Sequence, residues 1–233
     1  MRISALLLVV MLALVASRMP NAMAQDASPD ESAGAFDDLT QLEGIEQGVS
    51  RAYSVDYEAL FASPSADAEF EMPTGIQMIS GVILKFDSED NAKAARDKAN
   101  EELKSQTSEE LGLEEFDVEG LNDDTIGLHG VEEDETLGST QSSVIMTQEG
   151  EYLYLVFSIG TGSEEEVDTR SSAIDFVKHI VDADAGDGEG TFNADGTSEG
   201  GLWDKFPDAD DDMVKDLVPA DEQVYPETET SEE

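Results

Sequence analysis

The chain has two histidines, no cysteine and 55 acidic residues, which removes disulfides and thiolate sites and leaves imidazole and carboxylate as the groups to weigh first. A catalytic zinc site takes three protein ligands, commonly drawn from His and carboxylate. Carboxylates are so widespread here that neither histidine shows a distinctive ligand spacing. His129 lies between Leu128 and Gly130 near an expected strand end, and His179 on the expected polar side of a helix. Both read as surface or cap residues. There is no Gly-x-Ser-x-Gly elbow and no Gly-x-x-x-x-Gly-Lys-Ser/Thr phosphate loop. A Ser-His-Asp set is defined by geometry, so it stays open at this level. No catalytic residue is assigned.

Two acidic runs invite comparison with calcium loops, which need acids at positions 1, 3 and 5, Gly at 6 and Glu at 12. Counting from Asp182, the acids Asp184 and Asp187 follow, but Gly186 takes the fifth place, Asp187 the sixth and Asn193 the last. Asp208, Asp210 and Asp212 supply three acids at the right spacing, but Met213 replaces the glycine and Pro219 the final ligand. Both runs read as solvated acids. No cofactor is expected beyond weak calcium association.

Residues 200–207 carry the one tryptophan, Trp203, with Phe206 close by and Met213, Leu217 and Val218 following at near-helical spacing. An unfolded tail has no physical use for such a cluster. Two readings stand. The cluster folds back and caps the core or a sheet edge, because large aromatics are usually buried. Alternatively it docks on a partner with Trp203 as anchor. In that case Phe206, Leu217 and the hairpin residues Tyr152 and Tyr154 complete the partner-binding set.

Apolar periodicity gives the elements that position these groups. A strand is expected over 51–57 and a firmer one over 74–86, with Gly81 as a kink or bulge. Ser88 is a suitable N-cap for a helix over 89–105, where Ala92, Ala95, Ala99 and Leu103 form a thin buried stripe. Phe116 and Val118 mark a short strand; Ile126, Leu128 and Val131 mark another. Residues 142–148 and 151–159 form a hairpin around Glu149-Gly150. In its second strand Leu153, Leu155, Phe157 and Ile159 share one face, and Tyr152, Tyr154 and Val156 the other. A second helix over 165–182 offers Val167, Ile174, Val177 and Val181. The result is an α+β domain over 36–181: an antiparallel sheet of five or six strands with two helices packed on it.

Residues 1–24 have a positive start, a short apolar run and Ala22-Met23-Ala24 before Gln25, the three parts of a secretory signal peptide. The run is short of the roughly 20 residues a membrane helix needs. Residues 25–35 read as a disordered leader and 182–233 as an acidic tail. The expected location is therefore secreted or periplasmic, with no membrane insertion once the signal is removed. The formal net charge of −43 makes nucleic acid and anionic membranes poor partners. Life in high salt, divalent-cation binding and simple solubility each account for the acidity; salt screens charge over about 3 Å at 1 M.

The segment Phe86-Asp87-Ser88-Glu89-Asp90-Asn91-Ala92 and the hairpin from Met146 to Tyr154 resemble small exported bacterial sensor-like and photosystem-accessory (PsbP-type) α+β domains. The resemblance covers roughly 75–181, implies architecture alone and matches no characterised family. The expected function is an exported, non-enzymatic binding or interaction protein whose partner is a protein or small ligand outside the cytoplasm. The alternatives are a hydrolase using carboxylates as acid and base and a cation-dependent structural protein.

Overall fold

The computed structural model describes residues 42–56, 73–107, 113–134, 138–186, 190–192 and 198–225. The expected signal peptide and leader over residues 1–35, and Asp187, lie outside the described residues. The larger elements are β1 (Ile45–Ser54), β2 (Gly75–Phe86), α1 (Glu89–Thr107), β3 (Glu114–Phe116), β4 (Ile126–Asp134), β5 (Gly138–Glu149), β6 (Tyr152–Thr161) and α2 (Thr169–Asp182). Then come the short strands β7 (Thr191–Phe192) and β8 (Ser198–Glu199), a 3-10 helix (Gly201–Lys205) and β9 (Val218–Tyr225). The main sheet has seven strands in the order β3-β4-β5-β6-β2-β1-β9, every pair antiparallel. The fold is α+β, as expected.

The two central strands are apolar on both faces because a helix covers each face. On one face Leu84, Phe86, Met146, Leu153 and Phe157 pack against Ala92, Ala95 and Ala99 of α1. Alanines let that helix sit close to the sheet. On the other face Ile79, Ile83, Ile145, Tyr154 and Val156 pack against Ala173, Phe176, Val177 and Ile180 of α2. The expected split of β6 into two faces is therefore observed.

Local chemistry sets the element ends. Ser88 Oγ accepts the Asn91 amide at 3.4 Å at the start of α1. Asp168 caps α2 by accepting the Ser171 amide at 3.0 Å, so the helix starts at Thr169 and not near residue 165. Ser163 and Glu166 close the preceding turn on themselves, the Ser163 hydroxyl donating to Glu166 at 2.8 Å. Phe176, absent from the expected stripe, is fully buried at its centre, while Ile174 and Val181 flank it half-buried. In the β5–β6 hairpin Glu149 pairs with Tyr152, which leaves Gly150 and Glu151 as the turn, one residue later than expected; Gly150 has φ 56°.

Gly81 is neither a kink nor a bulge. Its pairing with Arg51 and Val156 is in register, and the irregularity in β2 lies at Ile76/Met78. Gly81 makes room for rings: a Cβ there would stand 2.9 Å from ring atoms of both Phe176 and Phe206.

The packed unit also does not end at residue 181. β9 pairs with β1 from Val218 opposite Ser54 to Tyr225 opposite Gly48, completing the sheet from a region read as tail.

Candidate functional site

The 200–217 segment folds back onto the α2 face of the sheet. Trp203 is 2% exposed, Phe206 4% and Leu217 7%. They join Tyr154 in one apolar cluster, with Tyr152 half-buried at its margin. The Phe206 ring lies 6.2 Å from that of Trp203 and 6.4 Å from that of Phe176. The Tyr53 hydroxyl donates to the Pro207 carbonyl at 2.5 Å and ties the segment to β1. Of the two readings of this cluster, the fold-back placement is the one observed, and Trp203 in this packing presents almost no surface to a partner.

Lys205, between the two aromatics, is buried and caps α2. Its ammonium donates to the carbonyls of Ile180 (3.1 Å), Val181 (3.3 Å) and Ala183. It also stands 5.6 Å from the Tyr154 ring centroid. Burial lowers the Lys205 pKa, while Asp184, Glu149 and Asp182 pull the other way. Asp182 and Asp184 thus belong to the surroundings of a lysine at the end of a helix. Asp208, Asp210 and Asp212 are exposed, and Asp212 pairs with Lys215 at 3.0 Å. Among the described residues, no three His, Asp or Glu side chains are grouped to hold a metal.

His129 is not a surface residue. It is 8% exposed and lies beneath the start of α2. Its Nδ1 is 3.0 Å from Ser143 Oγ, which is 2.9 Å from Thr169 Oγ1. Its Nε2 is 3.5 Å from Glu164 Oε1. Arg170 holds the same Glu164 oxygen at 3.2 Å. Serine, histidine and glutamate thus stand in an order suggestive of a triad. However, Ser143 and Thr169 are 0% exposed, sealed between sheet and helix. A nucleophile has to reach its substrate, and this hydroxyl faces the protein interior.

The open concave surface lies on the other side of the sheet. A cleft of about 690 Å³ runs between α1 and the 115–127 segment. Six carboxylates line it: Asp97, Glu115, Asp117, Glu119, Asp123 and Asp124. Arg96 is the cation among them, 6% exposed and clamped by Asp97 and Asp124, each at 2.7 Å. Burial works against the Arg96 charge, but these hydrogen bonds hold its pKa above the ordinary value. Asn122 anchors the loop. Its side chain donates to the Gln148 carbonyl at 2.5 Å and accepts from the Asp124 amide at 3.1 Å. Asn100 also lines the cleft, and its Oδ1 is buried and accepts no hydrogen bond from the protein.

No family model matches the chain, and no curated protein matches it. Among solved structures, it is similar to the extracellular domain of PknH from Mycobacterium tuberculosis. The identity is 15% and the TM-score 0.28; the match covers 38% of this chain and half (50%) of that one.

Sequence reasoning missed Arg96, Ser143, Thr169 and Lys205. Two of these carried a signal. Arg96 follows Ala95 on the buried side of α1, and Lys205 sits between Trp203 and Phe206. A single cation embedded in an apolar pattern has to find buried acceptors. Ser143 and Thr169 carried none, because a hydroxyl in a strand or at a helix start is ordinary.

Proposed function

We propose that this chain is the precursor of an exported, non-enzymatic binding domain whose ligand occupies the cleft between α1 and the 115–127 segment. The observation that carries the reading is the cleft lining: six carboxylates around one clamped arginine on an open concave surface. Charge complementarity favours a cationic ligand, such as a polyamine or a lysine-rich peptide. The same charge disfavours nucleic acid. Export rests on the secretory features of residues 1–24. Among the described residues, no helix is long and apolar enough to cross a membrane.

The test has to separate a site from general attraction to an acidic surface. Spermidine and a lysine octapeptide are titrated into the 25–233 chain by calorimetry in molar sodium chloride, where exposed attraction is screened. Neutralising Asp117, Glu119 and Asp123 to amides should weaken binding at least tenfold. Neutralising Asp208, Asp210 and Asp212 should leave it unchanged. Equal loss from both sets, or no saturable binding, would sink the proposal.

A further inference from the structure

His129, Ser143 and Ser158 lie in one register row across β4, β5 and β6. Thr169, the first residue of α2, lies within hydrogen-bonding distance of Ser143 in this row. The row is a polar strip on the sheet face that carries α2. We infer that His129, Ser143 and Thr169 form a proton-operated latch, which holds the 163–168 turn and the first turn of α2 on the sheet and is released when His129 is protonated.

Hydrogen-bond direction decides how the row responds to a proton. The Glu164 carboxylate stands 3.5 Å from Nε2, outside hydrogen-bond geometry, but its charge favours the tautomer with hydrogen on that nitrogen. Nδ1 is then an acceptor, so Ser143 donates to it and Thr169 donates to Ser143. A second proton on the ring turns Nδ1 into a donor. Ser143 must then accept from His129 and turn its own hydrogen away from the ring. Thr169 Oγ1 also lies 3.5 Å from Nδ1, so both hydroxyls meet a donor where they had an acceptor, at a site where Ser143 and Thr169 are 0% exposed. Protonation therefore rearranges a buried hydroxyl chain and places a charge in a nearly dry site, at a cost in stability.

The charges around the ring do not cancel this. Glu164 faces Nε2 but is also held by Arg170. Asp168 is committed to capping α2. Glu114, opposite His129 on β3, is exposed. Burial first, and then Arg170, lower the His129 pKa below its ordinary 6.5, against the pull of Glu164 and Asp168. Above 6.5 both the folded and the unfolded chain therefore hold neutral His129, and the latch is intact. As pH falls through 6.5 the unfolded chain takes up the proton first, and folded stability drops until the folded-state pKa is passed. Asp168 and Glu166 are held below their ordinary values of 3.8 and 4.5, so their contributions are lost only in stronger acid.

His179 is the other histidine, so His179→Gln leaves His129 as the lone imidazole. In that variant, in molar sodium chloride, the His129 ring resonances should titrate below pH 6.5. Amide protection factors in residues 163–172, referred to the intrinsic rate at each pH, should fall between pH 7.5 and 5 at least fivefold more than those in β2 and β6. His129→Gln should flatten the fall in melting temperature over the same window. A ring titrating at or above 6.5, or loss of protection spread evenly over the sheet, would overturn the latch. If His129→Gln does not fold, the titration and the exchange in His179→Gln decide alone.

Discussion

The Lys205 ammonium donates to the carbonyl of Ile180 at 3.1 Å, joining the 3-10 helix to the end of α2 across 25 positions of sequence. The last carbonyls of a helix have no intrahelical donor, and a cation there also complements the helix dipole. The carbonyls of Ile180 and Val181, and that of the C-cap residue Ala183, share this one group. Lys205→Met keeps much of the apolar stem and removes the donors. It also leaves Asp182 and Asp184 uncompensated at the negative end of the helix. The expected loss is about 1–3 kcal/mol, read as a lower urea midpoint at unchanged slope. An unchanged midpoint would remove the capping role.

Gly81→Ala tests the closest approach in the α2-side core. The new methyl would stand 2.9 Å from ring atoms of both Phe176 and Phe206, two buried rings that must shift to admit it. Backbone conformation adds no penalty, because Gly81 is not among the positive-φ glycines. Overpacking of this kind costs about 1–3 kcal/mol. Thermal melting should show the loss, with a change in near-ultraviolet dichroism from the displaced rings. A variant as stable as the parent would mean that the two rings can move aside freely.

Much of this architecture is legible in the residue pattern, for a physical reason. The alternation in β6 and the alanine stripe of α1 are single-period signals, and both faces of the sheet follow from them. The pattern misleads where a residue serves a distant partner. Gly81 reads as a strand irregularity because nothing nearby reveals that Phe206, far along the chain, needs its space. The 182–233 segment reads as tail because its acids dominate a composition window, although Trp203, Phe206, Val214 and Leu217 within it are buried in the core. The cleft is not legible at all. Its carboxylates are ordinary in so acidic a chain, and only the fold brings the 115–127 segment alongside Arg96.

The acidity itself makes a measurable claim about salt. A net charge of −43 repels itself most strongly in the compact state. Screening by any salt should therefore raise the melting temperature, steeply up to about 1 M where the screening length is near 3 Å. Sodium, potassium and calcium chlorides at matched ionic strength are expected to act alike within a few degrees. A calcium-specific rise at millimolar concentration would favour a cation-dependent structural role over simple screening.

Trp203 decides whether the C-terminal segment belongs to the core. It is the one tryptophan, so its fluorescence reports a single site. Buried at 2% exposure against Phe206, with the Arg51 guanidinium 5.4 Å from its ring centroid, it should emit at short wavelength and resist quenching by acrylamide. Trp203→Ala should cost about 3–5 kcal/mol, the range for deleting a large buried aromatic. Truncation at residue 199 should cost more, because it also removes β9 and leaves the edge of β1 unpaired. If the tryptophan were instead a docking anchor, its emission would be that of an exposed indole. Trp203→Ala would then leave the melting temperature within a degree of the parent, and the truncated chain would keep a cooperative transition.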